Sequence, residues 1–342
     1  MTEPSRDTIA DLMNVIRNED GAASASERAK ALSALGLEIQ KDPGSLRVTQ
    51  AAMQLMDVIR HSTDAAFSTR AIFLLDQLQM VSSVPLLIDM SLADGIPIFD
   101  AGQLQELESV RLRSAAIAAL GKIRDERALI PLMSLLNDAQ LNYRIRMAAA
   151  ESLGRMGNEH ALQSLMTILE DDQEQSVYLR ESSAKALGML GDLRAMESLI
   201  SVFNSKKGIR SKFDFLKERV VQSIGKLMQG NQGEDEVVQS VLDALQDDAP
   251  SIRLAAIEAL IDMEDDRWLP VIEERVFDSD DMVAQGAISA VYELGGESAL
   301  QALLNNEKLP KFLREDVLDY LSLDESLDDD EDACDEEDGD ED

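Results

Sequence analysis

Cysteine occurs once in this chain of 342 residues, histidine twice, tryptophan once, and all aromatics together make up 4%. One cysteine cannot close an internal disulfide, so a stapled secreted scaffold is excluded and a reducing compartment fits. Two histidines leave little imidazole for metal ligation or proton transfer. So few aromatics argue against a β-sandwich or barrel. Basic residues are also short, 32 Lys and Arg against 66 Asp and Glu, a net charge of −34. A nucleic-acid backbone or an anionic bilayer would repel such a chain. No window reaches the roughly 18 apolar residues of a membrane span, and the opening MTEPSRDTIADLM has no basic stretch followed by an apolar run. The expectation is a soluble, cytoplasmic protein with no membrane insertion and no nucleic-acid partner. GxxxxGK[ST], GxGxxG, CxxC and HExxH are all missing, which removes the usual ligands for nucleotide hydrolysis, dinucleotide redox work and zinc chemistry. No cofactor, metal site or catalytic residue is expected.

What is present is a repeat. Val110 to Asp138, Tyr143 to Asp171 and Val177 to Phe203 are versions of one unit. In each a basic residue stands eight positions before a glycine: Arg113 and Gly121, Arg146 and Gly154, Arg180 and Gly188. The spacing recurs at Arg28 with Gly36 and at Lys217 with Gly225. Arg70, Arg253 and Arg314 align as further starts without the glycine, and Ala284 as one without the charge, nine in all. Successive starts from Arg113 onward are 30 to 37 residues apart, room for two helices and two turns. Apolar residues follow helical spacing, as at Ile145, Ala148, Ala149, Leu153 and Met156, then Leu162, Leu165, Met166 and Leu169. Gly157-Asn158 and Gly191-Asp192 stop one helix and cap the next. Such a helix pair buries its apolar face only against the next pair, so the expected fold is all-α, an α-solenoid of about eight or nine hairpins over residues 24–323. Residues 1–23 form an N-terminal capping segment, with a helix predicted over Asp7 to Asn18.

The unit resembles HEAT repeats, and more closely the HEAT-like repeats of the phycobilisome-lyase type, which read roughly VRxxAAxALGxIGDxxAxxxLxxxLxD; Tyr143 to Asp171 match almost throughout. The resemblance implies that Arg113, Arg146, Arg180 and Arg253 form a structural ladder with acidic groups such as Asp138, Asp171 or Asp248, broken at Ala284. It also implies a second reading, a phycobiliprotein chromophore lyase or assembly factor; a third reading, apart from the resemblance, is a chaperone or adaptor in cofactor assembly. Deoxyhypusine hydroxylase, an enzyme family of HEAT-like repeats, uses paired His-Glu dipeptides as iron ligands; Glu159-His160 is the reverse order, which sets that activity aside.

Three segments depart from the period. Insertion 94–106 carries Ile98 and Phe99, read either as a partner contact or as a loop folded onto the stack. Insertion 204–215 carries Lys206, Lys207, Arg210 and Lys212, the densest basic cluster, read either as a solvated loop or as a docking site for an acidic partner. The tail 324–342 holds 14 acids and no base and is expected to be disordered. It serves solubility, captures a basic partner, folds back on the basic loop or binds a divalent cation weakly. Cys334 in that tail is an incidental thiol. Trp268 stands where Ala128, Ala161, Ala195 and Ala299 occupy other repeats, either filling space or anchoring a partner. The first functional reading is a non-enzymatic scaffold or adaptor whose second helices line a concave face that holds a protein partner, with Glu151, Arg155, Lys185, Glu218 and Lys226 on the exposed face.

Overall fold

A computed structural model describes residues 8–19, 21–92, 103–171, 173, 176–205, 210–229 and 235–331, the side chains of 103–105, 210–213, 235 and 322–331 excepted. Among the described residues there are seventeen α-helices, short 3₁₀ turns and no strand. No described helix is long and apolar enough to cross a membrane. The chain divides into two compact units, Met1–Asp192 and Leu193–Asp342.

The first unit runs α1 (Thr8–Arg17), α2 (Ala25–Lys41), α3 (Leu46–His61), α4 (Ala65–Leu78), α5 (Val84–Leu92), α6 (Gln103–Ile123), α7 (Leu129–Asn137), α8 (Tyr143–Met156), α9 (Leu162–Glu170) and α10 (Val177–Leu190). The second runs α11 (Met196–Asn204), α12 (Arg210–Met228), α13 (Asp235–Ala244), α14 (Pro250–Asp262), α15 (Leu269–Arg275), α16 (Asp281–Leu304) and α17 (Lys311–Glu331). Each unit is an α-solenoid of antiparallel pairs in which the even-numbered helices, which carry the repeat starts, pack side by side: α4 on α6, α6 on α8, α8 on α10, and separately α12 on α14 and α14 on α16. Helix α16 is kinked at Gly296 (φ 64°); its first part continues this series and also meets α17, with Tyr292 against the Tyr320 ring.

Close packing between neighbouring starts depends on the repeat glycine. A Cβ on Gly154 would lie 2.6 Å from Ala186 Cα, and one on Gly121 or Gly225 2.6 Å from Ser152 Cβ or Ala259 Cα. The small residue six positions into the next repeat therefore meets the glycine eight positions into the previous one. Eleven positions in, the backbone turns left-handed, at Gly157 and Gly191 as expected but also at Arg124 and Glu264. That common turn corrects one start. Gln79 has the same left-handed φ of 46°, and Leu74 Cδ2 would lie 3.0 Å from a Cβ on Gly36, so the start in α4 is the buried Ser68 and not Arg70, which is exposed.

Helix α1 buries Met13 and Ile16 and packs on α2 and α3, so it serves as the first helix of a pair. Helix α17 carries the backbone through 324–331; residues 332–342, with Cys334, lie outside the described residues.

Candidate functional site

The repeat-start arginines are nearly buried, Arg113 at 6%, Arg146 at 5% and Arg180 at 5% exposure. Each has a main-chain oxygen as an acceptor: Nε donates to the carbonyl of Ser91 (2.9 Å), Leu136 (3.0 Å) and Leu169 (2.8 Å) respectively. Arg28 does the same to Ile16 (3.0 Å), and Arg314 Nη1 to Leu304 (2.6 Å). These oxygens belong to the last two residues of the preceding helix, where carbonyls have no intrahelical partner and the dipole is negative. Each guanidinium thus caps one helix from the next. Asp138 and Asp171, expected as its partners, accept the N–H of Gln140 and Gln173 in their own turns.

Arg253 adds a carboxylate. It donates from Nη1 to the carbonyls of Asp247 and Asp248, and from Nε and Nη2 to Asp278 at 2.9 and 2.6 Å. Asp278 lies on the far side of the next hairpin, whereas Asp248 offers its main-chain oxygen. Burial is the largest single influence on the Asp278 carboxyl and raises it, but the hydrogen bonds from Arg253 and the Asp280 N–H and the positive charges of Arg253 and Arg275 together hold it below the usual carboxylate range; the Arg253 guanidinium is held above its own. At Ala284 the position is filled by a buried methyl group.

With the start residue turned inward, residues five and nine positions later lie about 140° and 180° around the helix and face out. There the side chains tie neighbouring helices laterally. Glu151 on α8 meets Arg155 Nη2 (3.2 Å) on its own helix and Lys185 Nζ (3.7 Å) on α10. Lys122 reaches Asp76 at 2.5 Å and Gln222 donates to Glu258 at 3.1 Å, while nearer the repeat starts Gln285 donates to Asp316 at 3.1 Å. Pairs this exposed contribute at most about 1 kcal/mol each, so the face keeps its side chains available at small energetic cost.

The remaining expected site residues are dispersed. Trp268 is half-buried with the Arg267 guanidinium 5.5 Å over its ring. His61 Nδ1 lies 2.9 Å from the Asp57 carbonyl, and exposed His160 turns back on Asn158. No group of three or more His, Cys, Asp or Glu among the described residues is placed to hold a metal. Ile98, Phe99, Lys206 and Lys207 lie outside the described residues, and Arg210 and Lys212 are described only as backbone of α12. Sequence reasoning missed a cleft of about 350 Å³ in the first unit, lined by Arg17, Arg28, Asp57, His61 and Asp64 among others. Its charges are matched internally: Arg17 to Glu19 at 3.6 Å, Arg28 over the Phe67 ring at 4.0 Å, and Asp64 capping the N–H of Phe67. Only tertiary structure brings these residues together.

The family model for HEAT repeats matches residues 102–179, 206–290 and 238–322, more than half of the chain. This chain belongs to the HEAT-repeat family. Residues 179–205 match the PBS lyase HEAT-like repeat, the kind whose pattern Tyr143 to Asp171 also follow. Among solved structures, Kap95p, from a study of its binding to RanGDP, is similar with a TM-score of 0.56 at 14% identity, covering 91% of this chain and 46% of that one. Kap121p bound to Pho4p gives 0.51 at 13% identity over 90% and 39%. The complex of CpcE and CpcF of phycocyanin lyase from Nostoc sp. PCC7120 gives 0.44 at 20% identity over 66% and 81%. This HEAT-repeat chain thus spans under half of either karyopherin, and the likeness is one of fold. No curated protein matches the chain in sequence.

Proposed function

We propose that this HEAT-repeat protein is a non-enzymatic scaffold or adaptor, cytoplasmic, that holds a protein partner along the outward faces of its even-numbered helices. The observation carrying this reading is the arginine cap. By pinning each helix to the end of its predecessor it fixes helix rotation, so that the residues at the fifth and ninth positions form rows across neighbouring repeats. Arg155 and Lys185, both joined to Glu151, are the contact residues favoured on α8 and α10. The basic cluster Lys206, Lys207, Arg210 and Lys212 is a second contact, for an acidic partner. Ile98, Phe99 and Trp268 are apolar ones, and the acidic tail is a site for a basic partner. A lyase-like assembly role is supported by the single PBS lyase HEAT-like repeat at 179–205.

Native affinity capture of the full chain, followed by mass spectrometry and an absorbance scan, separates the two. The scaffold predicts a stoichiometric, colourless protein complex that weakens when Arg155 and Lys185 are changed to Glu. Coloured material with antenna proteins establishes the lyase reading instead, and the absence of any stoichiometric partner refutes the scaffold.

A further inference from the structure

In the second unit the outward helix faces expose large apolar side chains at one recurring place, two residues before the repeat start. Phe215 on α12 is 62% exposed, Met282 on α16 70% and Phe312 on α17 47%; only α14 has a polar residue there, Ser251. A face that merely keeps a protein in solution has no need of a thioether and phenyl rings in register on packed neighbours. Further along the same helices stand exposed carboxylates, Glu258 on α14, Glu293 on α16 and Glu315 on α17. Residues 230–323 contain 22 acidic and 6 basic residues, a net charge of −16. Four of the six bases have acceptors within the unit. Arg253 binds Asp278, Arg267 binds Asp265, Arg275 donates to the Leu245 carbonyl, and Arg314 donates to the carbonyls of Leu304 and Asn306. A solubilising surface mixes the two signs. This one is predominantly acidic beside an apolar row, exposed Lys308 and Lys311 being its remaining bases.

We infer that the outward face of α14, α16 and α17 docks a basic amphipathic helix of a partner protein, Met282 and Phe312 receiving its apolar side chains and Glu258, Glu293 and Glu315 its Lys and Arg. The geometry suits a helix lying across the repeats. Packed helix axes are about 8–10 Å apart, so equivalent residues on α16 and α17 match apolar residues seven apart on a partner helix, about 10 Å at 1.5 Å per residue. The charge complementarity steers encounter, and the apolar contacts supply the slow dissociation. This inference rests on the scaffold reading and names the chemistry of its partner.

The test uses the full chain and a fluorescein-labelled synthetic 18-residue helix with Leu at i, i+4 and i+7 and Lys on the other face, read by fluorescence anisotropy at low and physiological salt. The same peptide with every Leu changed to Ser should bind about tenfold more weakly. The triple variant Glu258→Gln, Glu293→Gln, Glu315→Gln should lose about tenfold in affinity. The control triple Glu106→Gln, Glu108→Gln, Glu126→Gln, with the same change in net charge, should lose less than twofold. Met282→Ser with Phe312→Ser should weaken binding about fivefold. A chain ending at Leu323 should bind as the full one does. Circular dichroism melting shows that each variant is folded. Equal losses for the two Glu triples, wild-type affinity in the Met282 and Phe312 variant, or loss of binding with the tail would each overturn the proposal. The scaffold reading fails separately: a stoichiometric captured partner that survives the face triple leaves the scaffold standing and removes this site.

Discussion

Changing Gly154 to Ala sets two opposed effects against each other, and the structure decides their sign. Alanine is the better helix former by about 1 kcal/mol in a helix interior, and Gly154 lies in the last turn of α8 (Tyr143–Met156), so propensity alone favours the variant by at most that amount. The added Cβ, however, would sit 2.6 Å from Ala186 Cα and 2.9 Å from its carbonyl oxygen, where ordinary contact begins at 3.4 Å. Both atoms are backbone, so no rotamer relieves the clash, and α8 and α10 must separate by about 0.8 Å at a contact both helices bury. Overpacking of this kind costs about 1–3 kcal/mol, more than the propensity gain in most of that range. The expected net loss is up to about 2 kcal/mol and about 1 kcal/mol at the middle of that range, read from urea unfolding by circular dichroism with the slope unchanged. Gly44→Ala, in open space, should stay within about 0.5 kcal/mol of wild type. Adding Ala186→Gly should recover only part of the loss, because the nearest atom is Cα rather than Cβ. A Gly154→Ala protein as stable as wild type, or more so, refutes the close-approach account.

Arg124 has φ 58° at the position that Gly157 and Gly191 fill elsewhere. Arg124→Gly should therefore raise stability by about 0.5–1 kcal/mol in the same assay, and a loss of that size would show that the side chain holds the turn. Asp278→Asn leaves the buried Arg253 guanidinium without its counter-charge and should cost about 3 kcal/mol at pH 7. Because the folded Asp278 pKa lies below the unfolded value of about 3.9, its stabilisation is complete above that value and is lost as pH falls through the folded one. The gap between wild type and Asp278→Asn should narrow below about pH 4; a gap constant down to pH 2 would mean that the pair does not titrate as described.

The architecture was legible because its cause is local. A helix hairpin that cannot bury its apolar stripe alone must stack, and the recurrence of arginine, glycine and small residues records the stacking. Charge is the most visible letter of the repeat, though, and it aligns Arg70 where the fold keeps the buried Ser68. The capping Asp64, the left-handed Gln79 and the contact of Leu74 with Gly36 set that register, and none of them repeats as a letter. The main-chain acceptors of the repeat arginines were not legible for a related reason: main-chain oxygens carry no sequence signature, so a carbonyl at a helix end can only be assigned once the preceding helix has a position.

Composition and period by themselves determined an acidic all-α repeat protein, because both hydrophobic spacing and turn residues act within a few positions along the chain. Tertiary structure alone decided which atom each arginine caps, which carboxylate answers Arg253, why the glycines are glycines, and that Met282 and Phe312 stand exposed beside Glu258, Glu293 and Glu315. Those contacts join residues on different helices, and their distances are set by how closely one helix packs on the next.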